Sequence, residues 1–264
     1  MSDARNGDVR IAYESRGAGE AILFVHGLAY DRRGWGPLPG LLAGDFRILL
    51  FDNRGVGDSD APPGPYSVAQ MAEDAIAVLD AAGESSAHIF GVSLGGFIAQ
   101  EIAVSHPRRV RKLVLASTAP GGPNQHPMPE QGVKSLSRYP TLEREQALRL
   151  AVETSLGERG VRERPELLEE IYAYRLERAP DLAAWQAQAM AGASFDAFGR
   201  IPAISAPTLV VHGTADNVVD PRNGELLAAT IPGARLELFP DRGHMLVWED
   251  GEALAPVVRE FLLG

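Results

Sequence analysis

The passage from residue 87 to residue 103 constrains this chain more than any other. A short β-type run, Ala87-His88-Ile89-Phe90, enters Gly91-Val92-Ser93-Leu94-Gly95-Gly96 and continues without a spacer into the helix-like Phe97-Ile98-Ala99-Gln100-Glu101-Ile102-Ala103. A strand and a helix joined by so short a turn approach each other within contact distance, which leaves little room for side chains beside the turn. Glycine at 91, 95 and 96 meets that demand and puts Ser93 at the apex, with its hydroxyl lifted clear of the sheet. The amide of Leu94 then stands at a helix N-terminus, where it can donate to a developing oxyanion.

The rest of the chain reads as strands alternating with helices. Residues 9–15 alternate like a half-exposed strand, and Ala21-Ile22-Leu23-Phe24-Val25 is a continuous apolar run of the kind a buried parallel strand shows. Further strands are expected over 46–51, 110–117, 207–213 and 234–239. Helices are expected over 38–43, 223–230 and 252–262. The helix over 68–82 is the clearest: Ser67 caps it, Met71, Ala75, Val78 and Leu79 fall at helical spacing, and Gly83 stops it. Such alternation implies an α/β fold with a mostly parallel sheet covered on both faces and ligands at the carboxyl ends of its strands.

Between residues 120 and 200 the texture changes. Pro120-Gly121-Gly122-Pro123, Pro127 and Pro129 break regular structure, and helices follow over 143–156, 166–177 and 181–191 with no strand between them. The expected organisation is a core of residues 1–119 and 201–264, with 120–200 inserted as a helical lid.

A serine hydroxyl is a poor nucleophile near neutral pH and needs an imidazole base oriented by a carboxylate. Of six histidines, His244 follows the last strand in Asp241-Arg242-Gly243-His244-Met245, at the sheet edge where Ser93 also lies. His26 reads as a loop support, His88 and His212 as strand residues of the core or of the site's surroundings, and His106 and His126 as surface residues. Asp216, in Gly213-Thr214-Ala215-Asp216-Asn217 just past a buried strand, is the preferred carboxylate over Asp220. The chain order Ser93, Asp216, His244 is the one this architecture permits. The second oxyanion donor beside Leu94 falls in the loop after Val25, most simply at Leu28, with Ala29 the alternative. Asp52 and Arg54 read as a mutual contact that fixes their loop.

Charge and composition exclude other classes. A net charge of −10, with no basic cluster beyond Arg108-Arg109-Val110-Arg111-Lys112, argues against a nucleic-acid partner. The absence of cysteine rules out thiol nucleophiles, thiolate metal sites and disulfides, and fits a reducing compartment. No His-Glu-x-x-His or similar cluster suggests a metal, and no cofactor is expected. No segment approaches 18 apolar residues, and the first twenty residues are charged without an apolar centre, so a soluble cytoplasmic protein with no membrane partner is expected.

Gly91-Val92-Ser93-Leu94-Gly95-Gly96, His26-Gly27, Asp52-Asn53-Arg54-Gly55-Val56-Gly57-Asp58-Ser59, Gly213-Thr214-Ala215-Asp216 and Gly243-His244 together resemble the α/β-hydrolase superfamily, in the family's order and across nearly the whole chain. Within it the sequence is similar to carboxylesterases and 3-oxoadipate enol-lactonases. It departs from them at Val56, where enol-lactonases commonly have histidine, and at Leu28, where many relatives have an aromatic. The resemblance implies an eight-stranded sheet, a lid between the sixth and seventh strands, and a Ser93-Asp216-His244 triad. Its serine members hydrolyse esters and lactones, and they also include carbon–carbon bond hydrolases, cofactor-free perhydrolases, hydroxynitrile lyases and non-turnover receptors. Most arginines of the lid are interleaved with glutamates, as in Glu143-Arg144-Glu145, which is the pattern of solvated helix faces. Tyr139, Tyr174, Trp185, Met190 and Phe195 are therefore the expected pocket residues, and a neutral, short-to-medium ester or lactone is the expected small-molecule substrate.

Overall fold

The computed structural model describes residues 1–264. Along it the chain lays down β1 (Ser2–Asn6), β2 (Val9–Arg16), β3 (Ala21–Val25), α1 (Leu38–Leu42), β4 (Arg47–Phe51), α2 (Val68–Ala81), β5 (Ala87–Val92), α3 (Leu94–Ser105) and β6 (Val110–Ala116). Four helices follow without a strand: α4 (Glu130–Arg138), α5 (Arg144–Glu163), α6 (Pro165–Arg178) and α7 (Leu182–Ala193). The alternation resumes with β7 (Thr208–Gly213), α8 (Arg222–Thr230), β8 (Arg235–Phe239), α9 (Leu246–Glu249) and α10 (Gly251–Leu263). The eight strands form one sheet in the order β1-β2-β4-β3-β5-β6-β7-β8. Only β1 with β2 and β2 with β4 are antiparallel; every other pair is parallel.

Two cores explain the apolar strand runs. Along β3, Ala21, Leu23 and Val25 join the cluster beneath α2, α3 and α8, while Ile22 and Phe24 join the one beneath α1, α9 and α10. A strand buried on both faces has no polar side to show, hence its unbroken hydrophobicity. The helix α2 starts at a capping box between Ser67 and Gln70, and Met71, Ala75, Val78 and Leu79 are fully buried. Burial of the larger of these side chains stabilises the fold by roughly 1.5–3 kcal/mol each. No helix is long and apolar enough to cross a membrane.

Several elements differ from expectation. β1 is polar, and only Ala4 is buried; the strand exists through its antiparallel ladder to β2, which leaves no hydrophobic period to read. α4 begins directly after Pro129 with Gly132 and Ser135 as its buried residues, so no apolar stripe announces it. α5 continues past residue 156 to Glu163 through a kink at Gly157 (φ 69°, ψ 171°), which joins two helical pieces. The helical segment is tied at its base, where Gly121 bridges Asp196 and Gly122 N donates to Phe195 O at 2.9 Å.

Candidate active site

Ser93 is the hinge between β5 and α3, and its backbone (φ 54°, ψ −121°) lies in a region that non-glycine residues seldom adopt. Holding it there costs on the order of 1–3 kcal/mol, so the surroundings must impose it. Its N–H donates to Ala116 O at 3.0 Å, and its carbonyl accepts from Thr118 Oγ1 and Gly96 N, both at 2.8 Å. The flanking glycines are needed sterically. A Cβ on Gly91 would overlap Gly95 O, one on Gly95 would overlap Val25 O, and one on Gly96 would overlap Thr118.

His244 stands on the loop between β8 and α9, with its N–H donating to Ser155 O at 2.8 Å. Its Nδ1 lies 2.8 Å from Oδ2 of Asp216, which follows β7. The other oxygen, Oδ1, accepts from Val218 N and Val219 N at 2.8 Å each, and Oδ2 also accepts from His212 Nε2 at 3.1 Å. Burial by itself would raise the Asp216 pKa, but the facing His244 and the hydrogen bonds from both histidines outweigh it and hold the carboxyl below its usual range. An ionised carboxylate only accepts, so Nδ1 of His244 carries a proton, and in the neutral ring that tautomer leaves the lone pair on Nε2. Asp220 is not brought to His244; its carboxylate pairs with the Arg222 guanidinium at 2.5 and 2.9 Å.

Ser93 lies where two cavities meet. One, of about 140 Å³, is lined by His244, His26, Tyr30, Tyr139, Trp185 and Arg175 among others. The second, of about 330 Å³, extends past Leu94 to Phe97, Phe195 and His126. Both are lined by Leu28 and Ser93, and both are roofed by Leu136 of α4.

Most amides at the start of the loop after β3 are engaged. Gly27 N donates to His26 Nδ1 at 2.7 Å, Ala29 N to Gln188 Oε1 at 2.8 Å and Tyr30 N to Gly27 O at 3.4 Å. Of four successive amides only that of Leu28 has no acceptor in the protein. Leu94, as the first residue of α3, also has no carbonyl one turn back within its helix. His26 supports this loop: burial lowers its pKa to about 4, and the neutral ring donates from Nε2 to Gly34 O at 2.7 Å.

Of the expected pocket residues, Tyr139 and Trp185 stack at 4.4 Å and line the smaller cavity, while Phe195 stacks on Phe97 at 4.8 Å and lines the larger. Tyr174 and Met190 line neither. The Tyr174 hydroxyl donates to Asp31 Oδ1 at 3.0 Å beneath α6, and Met190 is 63% exposed. Asp52 and Arg54 do not contact each other as expected: Asp52 pairs with Arg32, and Arg54 pairs with Asp74 at 2.6 and 2.7 Å. His126 is half-buried beside the larger cavity, and its backbone N–H donates to Asn223 Oδ1 at 2.8 Å.

Three polar residues escape the sequence reading. Arg175 is buried, has no ion-pair partner, donates from Nη1 to Ala29 O and lies 4.2 Å over the Tyr30 ring. It is an exception to the solvated pattern expected of most of the helical arginines. Its signal was positional, because Leu168, Ile171 and Arg175 form one buried stripe on α6. Gln188 shares the buried stripe of α7 with Ala184, Trp185 and Ala191. Glu249 accepts from Gly243 N at 3.0 and 3.1 Å, and burial raises its pKa to about 7.

Comparison with known proteins adds a family context. Residues 20–251 match the model of the alpha/beta hydrolase fold family. The chain is 33% identical to a 2-hydroxy-6-oxononadienedioate/2-hydroxy-6-oxononatrienedioate hydrolase of Burkholderia vietnamiensis, over 97% of this chain and 91% of that protein. The solved enol-lactonase of Burkholderia xenovorans LB400 superposes with a TM-score of 0.88 at 28% identity and covers both chains fully (100% and 100%). A thermophilic esterase from Thermogutta terrifontis gives a TM-score of 0.84 at 29% identity, over 96% of this chain and 93% of that one.

Proposed function

The chain belongs to the alpha/beta hydrolase fold family, and from that premise we propose that it is a serine hydrolase that cleaves a small carboxylic ester or lactone through an acyl-enzyme on Ser93. The observation that carries this reading is the pairing of Asp216 with His244 beside a cavity that Ser93 also lines. In the proposed reaction Nε2 of His244 takes the Ser93 proton as Oγ attacks the acyl carbon. The oxyanion accepts from Leu28 N and Leu94 N, since the amide of Ala29 is already engaged by Gln188. Collapse expels the alkoxide, which His244 protonates, and a water then hydrolyses the acyl-enzyme by the same steps in reverse.

The leaving group must lie near its proton donor, so it occupies the compartment of about 140 Å³ beside His244. The acyl group extends into the one of about 330 Å³ on the Leu94 side, which suits short to medium chains. The segment 120–200 serves as the lid, and Tyr139, Trp185 and Phe195 contact substrate.

A second reading rests on Arg175. A buried guanidinium without a carboxylate partner can meet a substrate carboxylate in the smaller cavity. The dioate in the name of the Burkholderia vietnamiensis relative suits such a substrate and extends the reading to carbon–carbon bond hydrolysis. The test compares kcat/KM for p-nitrophenyl butyrate, a carboxylated enol-lactone and a 2-hydroxy-6-oxodienedioate in the native enzyme and in Arg175→Met. Preference for the neutral ester, unchanged by the substitution, supports the first reading. A preference of about 100-fold or more for an anionic substrate, lost in Arg175→Met, supports the second.

A further inference from the structure

The helices over the site also hold the backbone that would bind the oxyanion. Gln188 of α7 is almost fully buried and uses both ends of its amide: Oε1 accepts from Ala29 N, and Nε2 donates to Arg54 O, each at 2.8 Å. Ala29 N only donates and Arg54 O only accepts, so the orientation of this amide is fixed by its partners. The other side of Ala29 is held from α6, where Arg175 Nη1 donates to its carbonyl. Arg54 is in turn anchored to α2 through the buried pair with Asp74. A continuous polar chain thus runs from α2 through Arg54 and Gln188 to the peptide beside Leu28.

Ala29 needs such restraint. At φ 64° it sits in the left-handed region without being glycine, a conformation that persists only when its surroundings over-determine it. Its amide is buried, so loss of the Gln188 acceptor would leave an unsatisfied N–H whose cheapest relief is rotation of the peptides between 27 and 30. That rotation would turn the Leu28 N–H away and present the Ala29 N–H to the larger cavity, which Gln188 itself lines.

We infer that Gln188 is a positioning residue for the oxyanion site: by taking up the Ala29 N–H it leaves the Leu28 N–H as the one free donor among residues 27–30 and fixes its direction. The inference rests on the acyl-enzyme reading above. It makes α7 part of the catalytic device, so the lid would set rate as well as substrate choice.

The test uses Gln188→Met, which preserves volume and removes both hydrogen bonds, with the neutral ester p-nitrophenyl butyrate as substrate. Active serine is counted with a serine-directed phosphonate, so unfolded protein does not enter the rate. An oxyanion donor acts only in the transition state, so kcat should fall about 10–100-fold while KM stays within about twofold. A trifluoromethyl ketone, which forms a tetrahedral adduct, should lose affinity by the same factor, whereas the product butyrate should bind as before. The inference fails if Gln188→Met keeps kcat within about twofold, or if the ketone and butyrate weaken equally, as a merely structural role predicts. A native enzyme that the phosphonate does not modify at Ser93 overturns the acyl-enzyme reading itself, which separates the two failures.

Discussion

Asp216 holds His244 through one oxygen only, Oδ2, at 2.8 Å from Nδ1, while its other oxygen is tied to the backbone at Val218 and Val219. The carboxylate is thus oriented by contacts that do not involve the imidazole. Asp216→Asn would present an amide in place of an anion and favour the wrong imidazole tautomer, so kcat should fall by roughly 10²–10⁴. Asp220→Asn should change kcat by less than about twofold, since Asp220 is occupied by Arg222. Steady-state kinetics of the two variants checks the assignment, and a larger loss from Asp220→Asn would reverse it.

The elbow should tolerate no side chain at residue 95. An alanine Cβ there would overlap the Val25 carbonyl, which belongs to the neighbouring strand and cannot move alone. Gly95→Ala should cost about 3 kcal/mol or more in stability, whereas Gly44→Ala, with nothing within 4 Å of the added methyl, should lie within about 0.5 kcal/mol of the native chain. Denaturant midpoints of the two variants give the comparison.

Glu249 should make stability fall as pH rises. Burial lifts its carboxyl to about 7, above the 4.5 of a free glutamate, against the opposing hydrogen bond from Gly243 and the charges of Arg242 and Arg164; Asp216 adds to the rise. Between those values the folded chain keeps a proton that the unfolded chain has released. The contribution is therefore complete below about pH 4.5 and is lost as pH climbs through about 7, with a size on the order of 3 kcal/mol at most. Glu249→Gln removes the titration and keeps an acceptor for Gly243. It should raise Tm relative to the native chain at pH 8 and leave it nearly unchanged at pH 5. Equal differences at both pH values would contradict this.

The parts of the molecule legible in the sequence are those that local sterics or periodicity impose. Ser93 between its glycines must be a tight strand-to-helix turn, and Met71, Ala75, Val78 and Leu79 must share one face of a helix. In a parallel sheet, residues just past strand ends gather at one edge, which is why Asp216 and His244 can be placed near Ser93 from their positions alone. Partner identity is another matter. Asp52 and Arg54 are two residues apart in one loop, yet the chain turns them toward Arg32 and Asp74, which are far from them in sequence. Arg175, Gln188 and Glu249 are polar groups on buried faces, whose residue type argues for solvent and whose helical position argues against it. Only the tertiary partners decide such cases, as the Ala29 peptide does for Arg175 and Gln188. β1 and α4 stayed hidden because backbone pairing and small residues, not an apolar stripe, hold them.

Covalent catalysis by Ser93 can be read directly from the mass of the enzyme quenched during turnover of p-nitrophenyl butyrate. One butyryl group should appear on the peptide that contains Ser93 and vanish as substrate is exhausted, and Ser93→Ala should form no adduct and lose about 10⁴-fold or more in kcat while keeping its Tm. An adduct on another residue, or a Ser93→Ala variant that retains about a tenth of the native rate, would show that Ser93 is not the nucleophile.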